Sequence, residues 1–380
     1  MMLFMRSYIL LLILISLYPG EDEVRQPERR FFRSPSFEAD SLRIHPERVE
    51  FKDTIVGDML LVYENKEGLV HSYSREINTG VCIDGACRRL SMTLYWTVTG
   101  RYFGFVLPKG EFLSKTEHVP FREEDYHRLE EILANPYSVL GQYRIEELVS
   151  GPEEGVDGVT AATLAAVKQE VVPDAVYTTF TLWHLIYGET PKRIRQYTRE
   201  RLTDQLAVKL LESPDFEDKR WTLENMGPQL RWNDELRQVV LDKILHGQDI
   251  LAAQALSAFP DSILAENSVQ TTLAEGFSGM AYANQRKVLE KLSHVSVLDP
   301  QAALLLAGTL TGLRADLVDD VFQLFEVHHV QNEAIDRMVV LLLNLENRFI
   351  ARRAAEYLET SDIKDKKVRR QIKKIRLNGS

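Results

Sequence analysis

Polar and apolar positions change their rhythm twice along this chain of 380 residues. From about residue 48 to residue 107 they alternate, or run in short apolar stretches cut by Gly and Asn turns, as in DTIVGDMLLVYENKEG and GLVHSYSREINTG. RRLSMTLYWTVTGRYFGFVLP alternates most regularly and is rich in aromatic and β-branched residues, which predicts a hairpin turning at TGRY. Together these segments predict a small antiparallel sheet. FREEDYHRLEEILANP opens on acidic residues, continues at helical spacing and stops at Asn135-Pro136, so it predicts a helix. GPEEGVDG (151–158) reads as a Gly-rich acidic loop and TAATLAAVKQEVV as a short helix stopped near Pro173. YTTFTLWHLIYG predicts a further helix, with Tyr177, Phe180, Trp183 and Tyr187 along one face.

From Pro191 onward nearly everything is helix-forming. Apolar positions recur at helical spacing in RLTDQLAVKLL, DELRQVVLDKIL, ILAAQALSAF, QRKVLEKL, QAALLLAGTL, DLVDDVFQLF, IDRMVVLLLNL and FIARRAAEYL, with short loops between them. Helices this short bury a face only by stacking on one another, the logic of an α-solenoid. The pattern is HEAT-like, but the repeat is not sharp enough to name a period; a compact helical bundle is the alternative. The fold class is therefore an α+β domain over residues 42–190 followed by an all-α helical-repeat domain over 191–363. KDKKVRRQIKKIR (364–376) carries eight basic residues against one acid, within a basic tail over 364–380. It reads as a solvated terminal helix or as a contact for an acidic partner or anionic lipid.

At the other end, Arg6 precedes an apolar run from Tyr8 to Leu17, then Pro19-Gly20 and a charged stretch. This is the layout of a cleavable signal peptide over residues 1–20, with a retained anchor as the alternative. It predicts an exported protein, periplasmic or extracellular, with residues 21–41 as a flexible lead-in. A hydrophobic fraction of 44% suits a globular core, and a formal net charge of −10 argues against general nucleic-acid binding. The two cysteines, Cys82 and Cys87, stand in a CxxxxC loop. In an oxidising compartment they suit a local disulfide; two free thiols or a redox-active pair remain open. No matching His or Cys pair completes a zinc site around them. His118 and His127, beside Glu117 and Asp125, lack HExxH spacing, and no metal site is predicted.

The string Val156-Asp157-Gly158-Val159-Thr160-Ala161-Ala162-Thr163 carries the sharpest chemistry. An acidic, Gly-containing turn leads straight into a predicted helix. Thr160 suits the N-cap, and the amides of Ala161, Ala162 and Thr163 would point beyond the helix start, a natural seat for a phosphate. The string resembles the flavinylation motif of FMN-binding domains, those of the peripheral subunits of the Na+-pumping NADH:quinone reductase and of the Rnf electron-transport complex. Asp157, Gly158, Thr160 and Ala162 match the family pattern, while Ala161 stands where Gly is usual and adds a methyl beside the phosphate. The resemblance covers roughly residues 75–190, including EFLSKTEHVPFREEDYHRLEEILANPYSVLGQY and EVVPDAVYTTFTLWHLIYG, which are similar to exported bacterial proteins joining an FMN-binding-like domain to helical repeats. It implies an FMN cofactor esterified through its phosphate to Thr163 by a flavin transferase, and electron transfer by the isoalloxazine ring. Trp183 and His184, with Tyr177, Tyr95 and Trp96, would be the ring's neighbours; for each, core packing is the competing reading. Two functions follow: an exported electron-carrying flavoprotein docked to a protein partner through its helical repeats, or a non-catalytic interaction scaffold that keeps the fold without flavin. No GxSxG, HExxH or Walker signature supports a hydrolase.

Overall fold

The computed structural model describes residues 28–52, 58–80, 88–145, 147, 167, 169–361 and 363–377. The signal-peptide segment, Cys82, Cys87 and the string from Asp157 to Thr163 lie outside the described residues, as does most of the helix expected over 160–172.

The N-terminal part is a six-stranded antiparallel sheet of β1 (Arg29–Phe32), β2 (Arg43–Arg48), β3 (Met59–Glu64), β4 (Val70–Thr79), β5 (Leu90–Thr97) and β6 (Tyr102–Leu107), in the order β1-β6-β5-β4-β3-β2. The alternation in β5 is a burial pattern: Leu90, Met92, Leu94 and Trp96 are buried, while Ser91, Thr93 and Tyr95 are half-buried on the other face. The expected hairpin between β5 and β6 is present. Gly100 takes φ +78° in its turn, and the Gly100 amide donates to the Thr97 carbonyl at 2.9 Å. Pro46 is tolerated in β2 because β2 is an edge strand.

One expectation is corrected. Arg29–Phe32, assigned to the flexible lead-in, forms the other edge strand, with Phe31 opposite Phe105 and Phe32 opposite Gly104. Four residues, two of them arginines, are too few for alternation to reveal a strand; the register comes from β6 and from packing of Phe31 on Phe105 at 4.8 Å. Gly104 makes this pairing possible, because a Cβ there would sit 2.0 Å from the Phe31 carbonyl oxygen. Gly104→Ala should therefore cost about 1–3 kcal/mol and lift β1 off the sheet. Hydrogen exchange would show it as faster exchange of the Arg33 amide, which donates to Phe103 O at 2.9 Å.

The buried sheet face carries Val62, Tyr73, Arg75, Ile77, Met92, Leu94 and Trp96 and packs on α1 (Glu123–Leu133), α2 (Val176–Tyr187) and α3 (Glu189–Glu200). α1 and α2 occupy the places expected for them. A helical array follows: α4 (Asp204–Leu211), α5 (Phe216–Asn225), α6 (Asp234–His246), α7 (Asp249–Ala258), α8 (Asn267–Gly276), α9 (Tyr282–Ser293), α10 (Pro300–Thr309), α11 (Ala315–Val327), α12 (Glu333–Leu342), α13 (Arg348–Glu359) and α14 (Lys366–Leu377). α4, α6, α8, α10 and α12 touch in succession to form one row, and α5, α7, α9, α11 and α13 form a second row against it. α14 packs on α13 and closes the array.

The array is a repeat, with a period the sequence reading did not find. In one row helices begin at Asp234, Asn267, Pro300, Glu333 and Lys366; in the other they begin at Phe216, Asp249, Tyr282, Ala315 and Arg348, each step being 33 residues. Core positions keep the same step: Val240, Leu273, Leu306 and Val339 in one row, and Ala255, Val288, Val321 and Ala354 in the other, are wholly buried. The residue before the helices that begin at Asp234, Asn267, Pro300, Glu333 and Lys366 is Asn233, Glu266, Asp299, Asn332 or Asp365. All but Glu266 cap their helix by accepting first-turn amides. Glu266 instead receives the Arg237 guanidinium at 2.8 Å. No helix among the described residues is long and apolar enough to cross a membrane.

Candidate functional site

The described residues nearest in sequence to the threonine string lie on either side of it, at 139–145 and from 167 onward. The chain leading to it passes through α1 and a 3-10 turn, Val139–Gln142, which Ser138 caps through the Leu140 amide at 3.2 Å. Val167, Val171, Val172 and Ala175 are buried. Ser138 Oγ donates to Glu170 Oε2 at 2.8 Å, Arg128 Nη2 donates to the Gln169 carbonyl, and the Val172 amide donates to Thr179 Oγ1 at 3.2 Å. Both flanks are thus attached to the α1–α2 pair.

The aromatic stripe on α2 has a packing role. A helix leaves its last carbonyls without partners, and α2 supplies donors to the end of α1: Tyr187 Oη donates to Leu133 O at 2.8 Å and Trp183 Nε1 to Asn135 O at 2.9 Å. Trp183 is 7% exposed, lies 4.7 Å from the Tyr187 ring, and is so close to Gly141 that a Cβ there would meet its Cη2 at 2.8 Å. Its polar edge and one face are occupied. His184 is half-buried, stacks on Phe180 at 3.9 Å, and places Nδ1 3.0 Å from the Phe180 carbonyl. Burial lowers its pKa, so the imidazole is neutral at neutral pH. Tyr177 is half-buried near the start of α2.

The two sheet candidates are not brought together. Trp96 is fully buried on the helix-covered face, with Nε1 donating to Ile186 O at 3.0 Å. Tyr95 points to the opposite face, beside Phe32 at 5.0 Å and Tyr63 at 5.8 Å. Successive strand residues face opposite sides, so no single ring on one side of the sheet touches both. The pair of histidines near Glu117 and Asp125 is likewise dispersed. Burial alone would raise the Asp125 pKa, but the Lys115 ammonium at 2.7 Å and the Arg122 amide at 2.8 Å hold it below the ordinary carboxylate value. His127 is exposed and 3.9 Å from Glu123. Among the described residues no group of three or more His, Cys, Asp or Glu is arranged to hold a metal.

The most elaborate polar constellation is one that motif reading passed over: the joint between the sheet and the array. Asp218 on α5 is wholly buried. Its carboxylate accepts from Arg101 Nε at 2.9 Å and Nη2 at 2.8 Å, from Ser213 Oγ at 2.8 Å and from Thr99 Oγ1. Arg101 also meets Asp215 at 3.2 Å. Desolvation would raise the Asp218 pKa, but the Arg101 guanidinium and the two hydroxyls outweigh it and hold the group below its ordinary value. Beside this cluster, Thr198 Oγ1 donates to Val98 O at 2.7 Å and therefore accepts from Tyr73 Oη at 2.7 Å. Arg75, buried in the sheet, donates to Thr190 Oγ1 at 2.9 Å and lies 3.7 Å over the Phe51 ring. Four side chains of the β5–β6 turn and the adjoining strands are thus fixed to α3 and α5. The signal in sequence was a Thr-Val-Thr-Gly-Arg turn carrying more hydroxyls and charge than a two-strand connection needs.

Further along the array, a cleft of about 690 Å³ opens between α9 and α11, lined by Tyr282, Arg286, Lys287, Asp320, Gln323 and Val327 among others. Tyr282 Oη donates to Asp316, Arg286 meets Asp320 at 3.0 Å, and Arg314 lies 4.4 Å over the Tyr282 ring. These groups present an amphipathic, hydrogen-bonding surface. No protein-family model, curated protein or solved structure matches the chain.

Proposed function

We propose that the chain is an exported interaction scaffold: a HEAT-like helical array that offers repeated grooves to a protein partner and carries the sheet module as a fixed head. The observation that carries this reading is the regular two-row array locked to the sheet through Asp218, Arg101 and Thr198. Regular stacking of short helices builds extended surfaces, and the cleft between α9 and α11 is one of them. The outer residues of α14, Lys366, Lys367, Arg370, Lys373 and Lys374, are exposed, while Ile372 is buried beneath them. That helix suits contact with an anionic lipid headgroup layer or an acidic partner.

A second reading, an FMN-carrying electron-transfer protein, is favoured by the string Asp157 to Thr163 itself. In that reading the FMN phosphate is held as an ester by the Thr163 hydroxyl, with Asp157, Gly158, Thr160, Ala161 and Ala162 forming the turn and helix start around it. The flavin would supply one- and two-electron chemistry. In that reading Trp183 would hold α2 against α1 through Asn135, while His184 packs on Phe180 of its own helix.

One experiment separates the two. The protein is co-expressed with a flavin transferase in an exporting host and purified from the exported fraction. The scaffold reading expects a colourless protein with the mass of the mature chain. A gain of the mass of an FMN phosphoryl ester, lost in Thr163→Ala, would overturn it and establish the flavoprotein.

A further inference from the structure

α3 carries four polar residues at positions three and four apart on one face: Lys192, Arg195, Gln196 and Arg199. With Glu200 they line a cleft of about 450 Å³, within the size range of small-ligand sites. Arg195 is half-buried there, yet it has no hydrogen bond or ion pair with any described residue. Its stem is pressed by the β5–β6 turn: a Cβ at Gly100 would lie 3.3 Å from Arg195 Cγ and 3.5 Å from Nη1. The turn therefore walls one side of the guanidinium and desolvates it. Burial lowers the Arg195 pKa and no neighbouring charge counters it. A charge taken out of water costs free energy unless an opposite charge or a set of acceptors meets it.

The rest of the cleft adds positive charge. Lys192 is exposed and has no ion pair among the described residues. Arg199 is pinned by Nε donating to Asn225 Oδ1 at 2.6 Å, which leaves its two terminal nitrogens outside that bond. The single carboxylate in the lining, Glu200, faces Arg201 at 3.8 Å and accepts from Gln196 at 3.2 Å. Three cations thus stand against one carboxylate that is already engaged. By contrast Arg193, one position along the same helix, is paired with Glu189 at 3.1 Å and donates to Gln196 Oε1 at 3.3 Å. In a chain of net charge −10, this concentration of unneutralised positive charge is local and directed.

We propose that the α3 cleft is a binding site for a phosphate dianion, free or as the phosphomonoester of a small molecule, gripped by Arg195 with Lys192 and Arg199 on either side. Two positive charges in excess suit a dianion better than a monocarboxylate. A planar guanidinium makes two parallel hydrogen bonds to a phosphate, and Gln196 offers a neutral donor beside it. The site is independent of Thr163 and of either reading of the chain's function.

The test titrates the mature chain with inorganic phosphate, a simple alkyl phosphomonoester and acetate at constant ionic strength, by calorimetry and by the shift of the thermal midpoint. Phosphate or the monoester is expected to bind saturably and to raise the midpoint, and acetate is expected to do neither. Arg195→Gln should weaken binding by roughly tenfold or more, Arg195→Lys by less, and Arg337→Gln, exposed on α12 away from the cleft, should leave it unchanged. Tryptophan fluorescence without ligand shows whether each variant is folded. Which of the two phosphates binds more tightly identifies the source. Binding equal in wild type and Arg195→Gln, equal for acetate, or absent from the wild type would overturn the proposal.

Discussion

Asp218→Ala should destabilise the folded chain by about 3–5 kcal/mol, among the largest losses available to a single substitution outside the apolar core. The carboxylate is wholly buried and accepts four hydrogen bonds. Removing it leaves the Arg101 guanidinium without its two-pronged partner and the Thr99 and Ser213 hydroxyls without an acceptor, and breaking a buried pair costs more than the pair contributes. Asp215, 3.2 Å from Arg101 and partly exposed, keeps some compensation and places the effect toward the lower end of the range. Replacing both partners, with Arg101→Met and Asp218→Leu together, should recover much of the loss, because no charge is then stranded. Denaturant unfolding followed by tryptophan fluorescence is a local reporter here. All four tryptophans, Trp96, Trp183, Trp221 and Trp232, lie between the sheet and the start of α6. A loss below about 1 kcal/mol for Asp218→Ala would mean that the joint is solvated and contributes as little as a surface ion pair.

The same group sets a pH dependence of known sign. Its folded-state pKa lies below the value of an unfolded aspartate, because Arg101 and the hydroxyls favour the charged form more than burial disfavours it. Its contribution is therefore complete above the unfolded pKa of about 3.9 and is lost as pH falls through the lower, folded value. Acid should loosen the joint below about pH 4, and Asp218→Asn should remove that part of the acid sensitivity.

The parts of this fold legible in the sequence were those with a local period. β5 and β6 alternate because one face is buried, and α1 and α2 carry their own stop signals at Asn135-Pro136 and Gly188. Each of the eight helical segments named from apolar spacing overlaps a helix of the array, though several run one to three residues past its ends. What escaped had weak or distant signals. α5 and α8 are interrupted by polar residues, and Asp218, Thr222 and Gln270 are buried polar groups that read as surface. The 33-residue step is carried by small sets of positions, one cap and a few core residues per repeat, whose identities vary: Val240, Leu273, Leu306 and Val339 share burial and not a side chain. β1 depends wholly on its partner. For the site, sequence isolated Trp183, His184, Tyr95 and Trp96 as aromatic candidates, but a ring's neighbours are set by tertiary packing, and packing spends Trp183 on Asn135 and Trp96 on Ile186. Arg195 and Arg101 look alike in sequence, and only the fold shows that Arg101 meets a carboxylate and Arg195 does not.

Trp96→Ala is the second substitution with a large expected effect, about 3–5 kcal/mol. The indole is fully buried at the centre of the sheet, paired across strands with Tyr73 on one side and Tyr102 on the other. Its deletion leaves a large cavity between sheet and α2 and strips the Ile186 carbonyl of its donor. Trp96→Phe separates the two parts of the cost: it keeps most of the apolar volume, loses the hydrogen bond, and should cost about 1–3 kcal/mol. The pair also tests whether sheet and array unfold together. A repeat array is stabilised by its nearest neighbours, so damage spreads only as far as the coupling reaches. If the joint at Asp218 and Thr198 couples the two parts, Trp96→Ala lowers the fluorescence midpoint and the helical circular-dichroism midpoint alike. If only the fluorescence midpoint falls, the coupling ends within the first helices of the array, where Trp221 and Trp232 sit, and Leu306→Ala, far along the array, should then lower the helical signal alone.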